Sequence, residues 1–339
     1  MGNPRLCGLR MQYLTFPDPV IAIVGPTAVG KTEIAVALAE AIEGEIVSAD
    51  SRLFYRGMDI GTAKPSMAER RGIPHHLIDV PEPNEIWSLA DFQQAAYAAI
   101  SEIHGRHKLP ILVGGTGQYF RAVVEGWGLP KLPPDEGLRK EIEKWATLVG
   151  PYGLHERLAV LDPQAARVID ARNVRRTVRA LEVIFRTGLR FSEQRRQGVR
   201  PYSLFIIGLK RSRQELYRRI DERISHMLED GLLEETQKLI ENGYAATLPS
   251  MSAIGYAEMC GILEGRMDMA EAELLMKRRT RNFVRRQANW FRETDPTIHW
   301  LDAAEINVEK IIQLLNNPAG WLAKGFIVTD EEKTDETVA

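Results

Sequence analysis

The apolar run Val20–Val24 leads into GPTAVGKT (25–32), and TEIAVALAEAI then repeats its apolar positions at helical spacing until Gly44. This is the pattern of a strand, a loop and a helix. Three further apolar stretches predict buried strands: EIVSAD (45–50), HHLIDV (75–80) and LPILVGG (109–115), with a helix from Leu89 to about His104 between the last two. Strands alternating with helices imply a parallel sheet with right-handed crossovers, whose site lies at the carboxyl ends of the strands. Gly25, Asp50 and Gly114 all fall at those ends.

After Trp127 the alternation gives way to helices alone: residues 133–150, LHERLAVL (154–161), and DPQAARVI (162–169), where Asp162 is a natural N-cap and Pro163 suits the first turn. An arginine-rich helix over 173–187 stops at Gly188. SLFIIGL (203–209) restores the strand pattern, and the capping box Ser212-x-x-Glu215 opens a helix to about Asp230. A second box, Asp268-x-x-Glu271, starts a long helix to about Arg292, and TIHWL (297–301) fits an edge strand. The expected fold class is α/β, a P-loop-type parallel sheet core flanked by helices, with an all-helical insertion domain. Its core covers 18–127 and 201–316, the insertion covers 128–200, and 317–339 is expected to be a disordered acidic tail.

Composition narrows the function classes. With 339 residues, 44 Lys+Arg against 46 Asp+Glu and 44 % hydrophobic residues, the chain is an ordinary globular protein rather than a disordered, collagen-like or disulfide-built one. Apolar runs such as VIAIV and AAYAAI are far shorter than the ~20 residues of a membrane span, so no membrane partner is expected. The two cysteines, Cys7 and Cys260, cannot make a four-ligand zinc site, which favours a reduced, cytoplasmic chain. The net charge of −2 hides strong local blocks: nine arginines and two glutamates between Arg172 and Arg200, and seven basic residues without an acid between Lys277 and Arg292. Arginine without lysine favours planar, bidentate phosphate contacts.

GPTAVGKT satisfies G-x-x-x-x-G-K-[ST] between a predicted strand and helix, where the motif has physical meaning. The loop of Gly25, Pro26, Thr27, Ala28, Val29, Gly30 and Lys31 is expected to surround a di- or triphosphate with its backbone N–H groups. Lys31 adds a point charge, and Thr32 holds Mg²⁺. ATP, GTP, a nucleoside diphosphate or an organic diphosphate satisfies these donors equally. An NTP-hydrolysing enzyme usually ends a neighbouring strand in an acid. Here ILVGGTGQY (111–119) places Gly114 and Gly115 there, and the acid is Asp50 at the tip of the second strand. Asp50 either ligates Mg²⁺ or orients and deprotonates an acceptor nucleophile. Thr116 shares that rim. His75, His76, His104 and His107 have no partners at ligand spacing and read as structural, as do Trp290 and Phe291.

SADSRLFYRGMDIGTAKP (48–65), GGTGQY (114–119), RRTVRALEV (175–183), AIGYAE (253–258) and RRQANWFR (285–292) follow one another along the chain. Together they resemble the tRNA dimethylallyltransferase (tRNA isopentenyltransferase) family. The lack of a zinc-finger extension matches its bacterial type, although Leu53 and Phe54 stand where many relatives have Gln-Val. The resemblance implies transfer of a dimethylallyl group from dimethylallyl diphosphate to N6 of the adenine at tRNA position 37, just 3′ of the anticodon. Its partners are then that diphosphate and the tRNA anticodon stem-loop, its cofactor is Mg²⁺, and no stable protein partner is evident.

On the same resemblance Asp50, Thr116 and Lys31 are catalytic, and one of the arginines Arg219 or Arg223 joins the loop at the diphosphate. Asp50, Ser51, Arg52, Leu53 and Thr116 would face RNA, together with Arg139, Arg175, Arg176, Thr177, Val178 and Arg179. So would the segment Ser252, Ala253, Ile254, Gly255, Tyr256, Ala257, and Arg281, Arg285 and Gln287 of the second basic block. The adenine must leave a stacked loop, at a cost of roughly a few kcal/mol, and the basic blocks supply the clamp. Two other classes use part of the same sequence. A small-molecule kinase leaves the arginine-rich helices idle, and a nucleotide-gated RNA-binding switch leaves Asp50 without a role.

Overall fold

A computed structural model describes residues 16–129, 135–194 and 199–326. These divide into two compact units, one of residues up to 87 with 92–124 and 200–326, the other of 88–91 and 125–199.

The first unit is built on β1 (Pro19–Val24), β2 (Glu45–Ser48), β3 (His75–His76), β4 (Pro110–Gly114), β6 (Ser203–Lys210) and β7 (Ile298–Asp302). They form one sheet in the order β3-β2-β4-β1-β6-β7, and every pairing is parallel. β1 is buried along its whole length between β4 and β6, which explains its unbroken apolar sequence. Around the sheet lie α1 (Lys31–Ile42), α2 (Met67–Arg70), α3 (Leu89–Gly105) and α4 (Gly117–Val124), then α9 (Arg213–Glu229), α10 (Leu232–Glu241), α11 (Tyr256–Leu263), α12 (Met269–Ala288) and α13 (Val308–Leu315). One apolar cluster joins β1, β4 and β6 to α1 and α13 through Ile21, Ile111, Phe205, Leu38 and Ile311. A second lies among α9 to α12 and includes Ile220, Ile224, Leu232, Tyr256 and Met276.

Three sequence expectations change here. The third strand pairs only at His75 and His76, because Leu77 and Asp79 adopt positive φ (62° and 58°) that a strand cannot continue. The long basic helix ends at Ala288 rather than near Arg292. Beyond it Trp290 packs over Gly117, where a Cβ would stand 2.3 Å from the indole. Residues 317–326 are ordered: Trp321 is buried against Phe16 and Phe205, and Leu322 bridges to Leu204. The rest of the expected tail, 327–339, lies outside the described residues.

The second unit contains α5 (Glu136–Leu161), α6 (Pro163–Val168), α7 (Val174–Thr187) and α8 (Phe191–Gln194). α5 is broken at Gly150, whose φ of 73° precedes Pro151, as the separate helical runs in the sequence imply. Ile142, Leu154, Leu158, Ala165, Val178 and Leu181 form its core. Asp162 is fully buried, yet its carboxylate accepts the Ala165 and Ser192 N–H groups and the Ser192 hydroxyl. Two short strands, β5 (Val199–Arg200) and β8 (Gly325–Phe326), pair with each other.

Candidate active site

The phosphate-type loop follows β1 and opens α1. Gly25 holds φ 146° against the Leu209 carbonyl, 2.6 Å from where a Cβ would be, so no larger residue fits. Ala28 has φ 63° and Gly30, the N-cap of α1, has φ 106° with no side-chain cap. The first turn of α1 therefore keeps its amides and its positive dipole end for another acceptor. The loop's own carbonyls are covered by cations: Lys31 Nζ donates to Gly25 O at 3.1 Å and Pro26 O at 2.8 Å, Arg219 Nε to Ala28 O at 2.8 Å, and Arg211 Nε to Val29 O at 2.9 Å. Burial pushes the Lys31 ammonium down to about 8, opposed by the Asp50 charge and assisted by Arg223.

Two loop residues do not offer the amides expected of them. Pro26 has no N–H, and the Thr27 N–H is donated to Gln287 Oε1 at 2.9 Å. Pro26 and Thr27 therefore add no N–H to an anion site.

A cavity of about 590 Å³ runs past this loop, lined by Thr27, Ala28, Asp50, Arg52, Arg223, Ser252, Ala253 and Ile254, and by Arg279, Thr280, Phe283 and Arg286 of α12. A neighbouring one of about 860 Å³ is lined by Thr32, Arg219 and Arg223 and shares Ala28, Ala63, Arg223 and Met227 with it. Asp50 ends β2 in a turn, with Oδ1 accepting the Arg52 N–H at 3.1 Å, which fixes its carboxylate at the cavity wall. The segment 59–61, in which Asp59 and Ile60 line the larger cavity and Gly61 the smaller, is held by Glu235, whose carboxylate accepts the Asp59, Ile60 and Gly61 N–H groups. Thr116, predicted to share this rim, opens α4 and lies outside the lining of both cavities.

The residues expected to face RNA separate into two groups. Arg52, Ser252, Ala253 and Ile254 reach the smaller cavity, and Ser51, Leu53 and Ala257 remain partly exposed. Arg175 and Arg176 of α7 are exposed and partly exposed, and Arg285 of α12 is exposed. Others turn inward. Tyr256 is fully buried, and its hydroxyl donates to Glu235. Gly255 is buried and gives its N–H to Glu258. Thr177 bonds back to Asn173 O, and Val178 packs in the helical core, so neither side chain offers RNA a surface.

Charge pairing accounts for three more of them. Arg139 and Arg179 both donate to Glu182, a carboxylate with no solvent exposure. Burial alone would raise the Glu182 carboxyl, but Arg179, the Asp135 N–H and Arg139 overcome this and hold it below its ordinary value. Arg281 is forked onto Asp221 at 2.6 and 2.8 Å and lies 5.0 Å above the Tyr217 ring. Gln287 is buried, bonding Thr27 N–H at one end and Gly115 O at the other.

Sequence reasoning missed Arg279, Phe283 and Arg286. Their spacing of four and three residues marks one face of α12, and that face lines the cavity with Asp50. His104 bonds Pro19 O, and Phe291 packs on Phe120, both in structural roles. Among the described residues no group of three or more His, Cys, Asp or Glu could hold a metal ion. None of their helices is long and apolar enough to cross a membrane.

The sequence model of the family described as IPP transferase matches residues 53–294. A tRNA dimethylallyltransferase of Herpetosiphon aurantiacus is 47 % identical over 300 residues, 88 % of this chain and 95 % of the relative. Among solved structures, the full-length tRNA isopentenylpyrophosphate transferase of Bacillus halodurans superposes with a TM-score of 0.65 at 43 % identity, covering 89 % of this chain and 95 % of that one. A eukaryotic dimethylallyltransferase captured acting on tRNA gives 0.69 at 28 % identity, covering 84 % of this chain and 74 % of the other.

Proposed function

Because this chain belongs to the IPP transferase family, whose members transfer a dimethylallyl group to a tRNA adenine, we propose a division of labour for that reaction among the residues around its phosphate-type loop. The donor is dimethylallyl diphosphate and the acceptor is N6 of the adenine at position 37. The N6 lone pair forms a bond to the allylic C1, the C1–O bond breaks, and diphosphate leaves with the electron pair. Charge develops on that leaving group, so the largest demand is for fixed positive potential around it. Lys31, the amides after Thr27 at the start of α1, Arg219 and Arg223 supply it.

The Thr32 hydroxyl lines the larger cavity beside those arginines and suits a hard cation whose other ligands are diphosphate oxygens and water. Mg²⁺ bound there would offset diphosphate charge as the C–O bond lengthens. Asp50 accepts the N6–H hydrogen bond, aims the lone pair and takes the proton. Thr116, outside the lining of both cavities, takes no direct part in this scheme.

The observation that carries this reading is the shared cavity: Asp50 stands in one wall, while loop residues Thr27 and Ala28 and the cation Arg223 stand in the others. A base, a diphosphate loop and room for an extruded base are thus contiguous. The test is to incubate the protein with labelled dimethylallyl diphosphate and unmodified tRNA, with labelled ATP in a parallel reaction. Prenyl label in the RNA supports the proposal, whereas phosphate transfer to a small acceptor supports the kinase reading and removes this one. The reaction on RNA places the enzyme where tRNA is, and a cytoplasmic site is the simplest assignment.

A further inference from the structure

Gln287 sits in the last turn of α12, buried to 4 % exposure, and both ends of its amide are in use. Oε1 accepts the Thr27 N–H at 2.9 Å, and Nε2 donates to the Gly115 carbonyl at 3.0 Å. One neutral side chain therefore ties the phosphate-type loop to the glycine turn after β4. Gly115 is matched to this contact, since a Cβ on it would lie 2.3 Å from Nε2 and 3.1 Å from Gly25 O.

The loop needs such a tie. Thr27 is followed directly by Ala28, a non-glycine residue at φ 63°, and Gly25 is pressed against Leu209. Backbone in that region persists only where surrounding structure over-determines it. Arg219 and Arg211 fix the carbonyls of Ala28 and Val29, while Gln287 fixes the Thr27 amide. Only an amide can do this. A carboxylate cannot donate to Gly115 O, and a thioether of similar length makes neither strong hydrogen bond.

We propose that Gln287 is a positioning residue for the donor diphosphate, locking the loop amides to the geometry that α12 dictates. The same helix presents Arg279, Phe283 and Arg286 to the cavity, so the acceptor-facing helix and the donor loop share one rigid link. This inference rests on reading the loop as the diphosphate site.

The experiment is steady-state kinetics with each substrate varied in turn for wild type, Gln287→Met and Gln287→Glu, with Lys31→Ala alongside. Losing two hydrogen bonds that hold the loop should raise the donor KM about ten- to thirtyfold in Gln287→Met. The tRNA KM should stay within about twofold. Gln287→Glu should raise the donor KM at least as far, because it places a negative charge behind the loop. If Gln287→Met proves too unstable to assay, the Glu variant is read in its place. A rise confined to the tRNA KM, or no change in either constant, overturns the proposal. A Lys31→Ala protein with an unchanged donor KM shows instead that the loop does not hold the diphosphate.

Discussion

The Tyr256 hydroxyl donates to Glu235 Oε1 at 2.6 Å, and that carboxylate is the acceptor for three successive backbone N–H groups, those of Asp59, Ile60 and Gly61. Burial and the Glu235 charge push the phenol far above its ordinary range, so Tyr256 remains the donor at every accessible pH. Gly61 is pressed onto the same ring, with a Cβ position only 2.5 Å from it, which leaves no room for a side chain there. The pair shapes the cavity wall from beneath, without reaching the cavity.

Tyr256→Phe removes one donor from a carboxylate that keeps its backbone partners. The expected loss of stability is about 1.5–3 kcal/mol, the range for a hydrogen bond to a charged group. Urea midpoints for wild type and mutant measure it. RNA affinity should be unchanged within twofold, because the ring does not reach the surface; a large loss of tRNA binding at full stability would restore Tyr256 to the RNA-facing set.

Asp50→Asn keeps the shape of the turn and its Arg52 contact but cannot take the N6 proton. Turnover should fall by about 10²–10⁴-fold, the span of a positioned acid–base group, with donor affinity nearly intact. Donor binding is followed by equilibrium titration and turnover by prenyl incorporation. If both collapse together, Asp50 is a magnesium ligand, and the proton acceptor must be sought elsewhere on the cavity wall.

How far the sequence alone reached depends on whether the controlling contact was local. The strand–loop–helix over 20–44 and the paired glycines after β4 are legible because periodicity and the loop motif are properties of neighbouring residues. The helical unit was legible for the same reason: Asp162, Gly150 and Gly188 mark helix ends by their own chemistry. Gln287 was not. It follows Arg285 and Arg286 in a basic helix, which suggests RNA, and its actual partner, Thr27, lies 260 residues earlier. Tyr256 misled similarly: the resemblance set its whole segment toward RNA, and the Glu235 that holds its hydroxyl lies 21 residues earlier. The 75–80 run failed as a strand because its apolar pattern carries no sign of the positive φ at Leu77 and Asp79.

Lys31 should make donor binding sensitive to alkaline pH. Its ammonium is lowered from 10.5 to about 8, first by burial, so the free enzyme loses this charge as pH rises through 8. Below that value the cation is present and donor affinity should be flat. Above it kcat/KM for the donor should fall, approaching tenfold per pH unit, because the proton must be regained on binding. Lys31→Arg should abolish this limb while keeping a cation, and Lys31→Ala should abolish donor binding. A wild-type profile flat to pH 10 would show that the lysine is charged throughout and remove the argument.

Arg175 and Arg176 differ from their neighbours on and near α7 in having solvent-facing side chains without the buried carboxylate that holds Arg139 and Arg179. Paired guanidinium groups on Glu182 have much of their charge neutralised, so the unpaired ones are the better phosphate ligands. The double change Arg175→Ala with Arg176→Ala should therefore weaken tRNA binding and flatten its salt dependence, by roughly 0.7–0.9 in the slope of log K against log salt for each phosphate deprived of its arginine. Donor affinity should not move, since neither residue lines the diphosphate cavities. Arg179→Ala should behave differently, lowering the melting temperature because it strips a donor from a carboxylate sealed in the helical core. Titrating tRNA at several salt concentrations against all three proteins separates these effects. Superimposable slopes for wild type and the double variant would make Arg175 and Arg176 an ordinary solvated face, and the RNA contacts would then have to come from α12, where Arg285 and Arg286 are exposed.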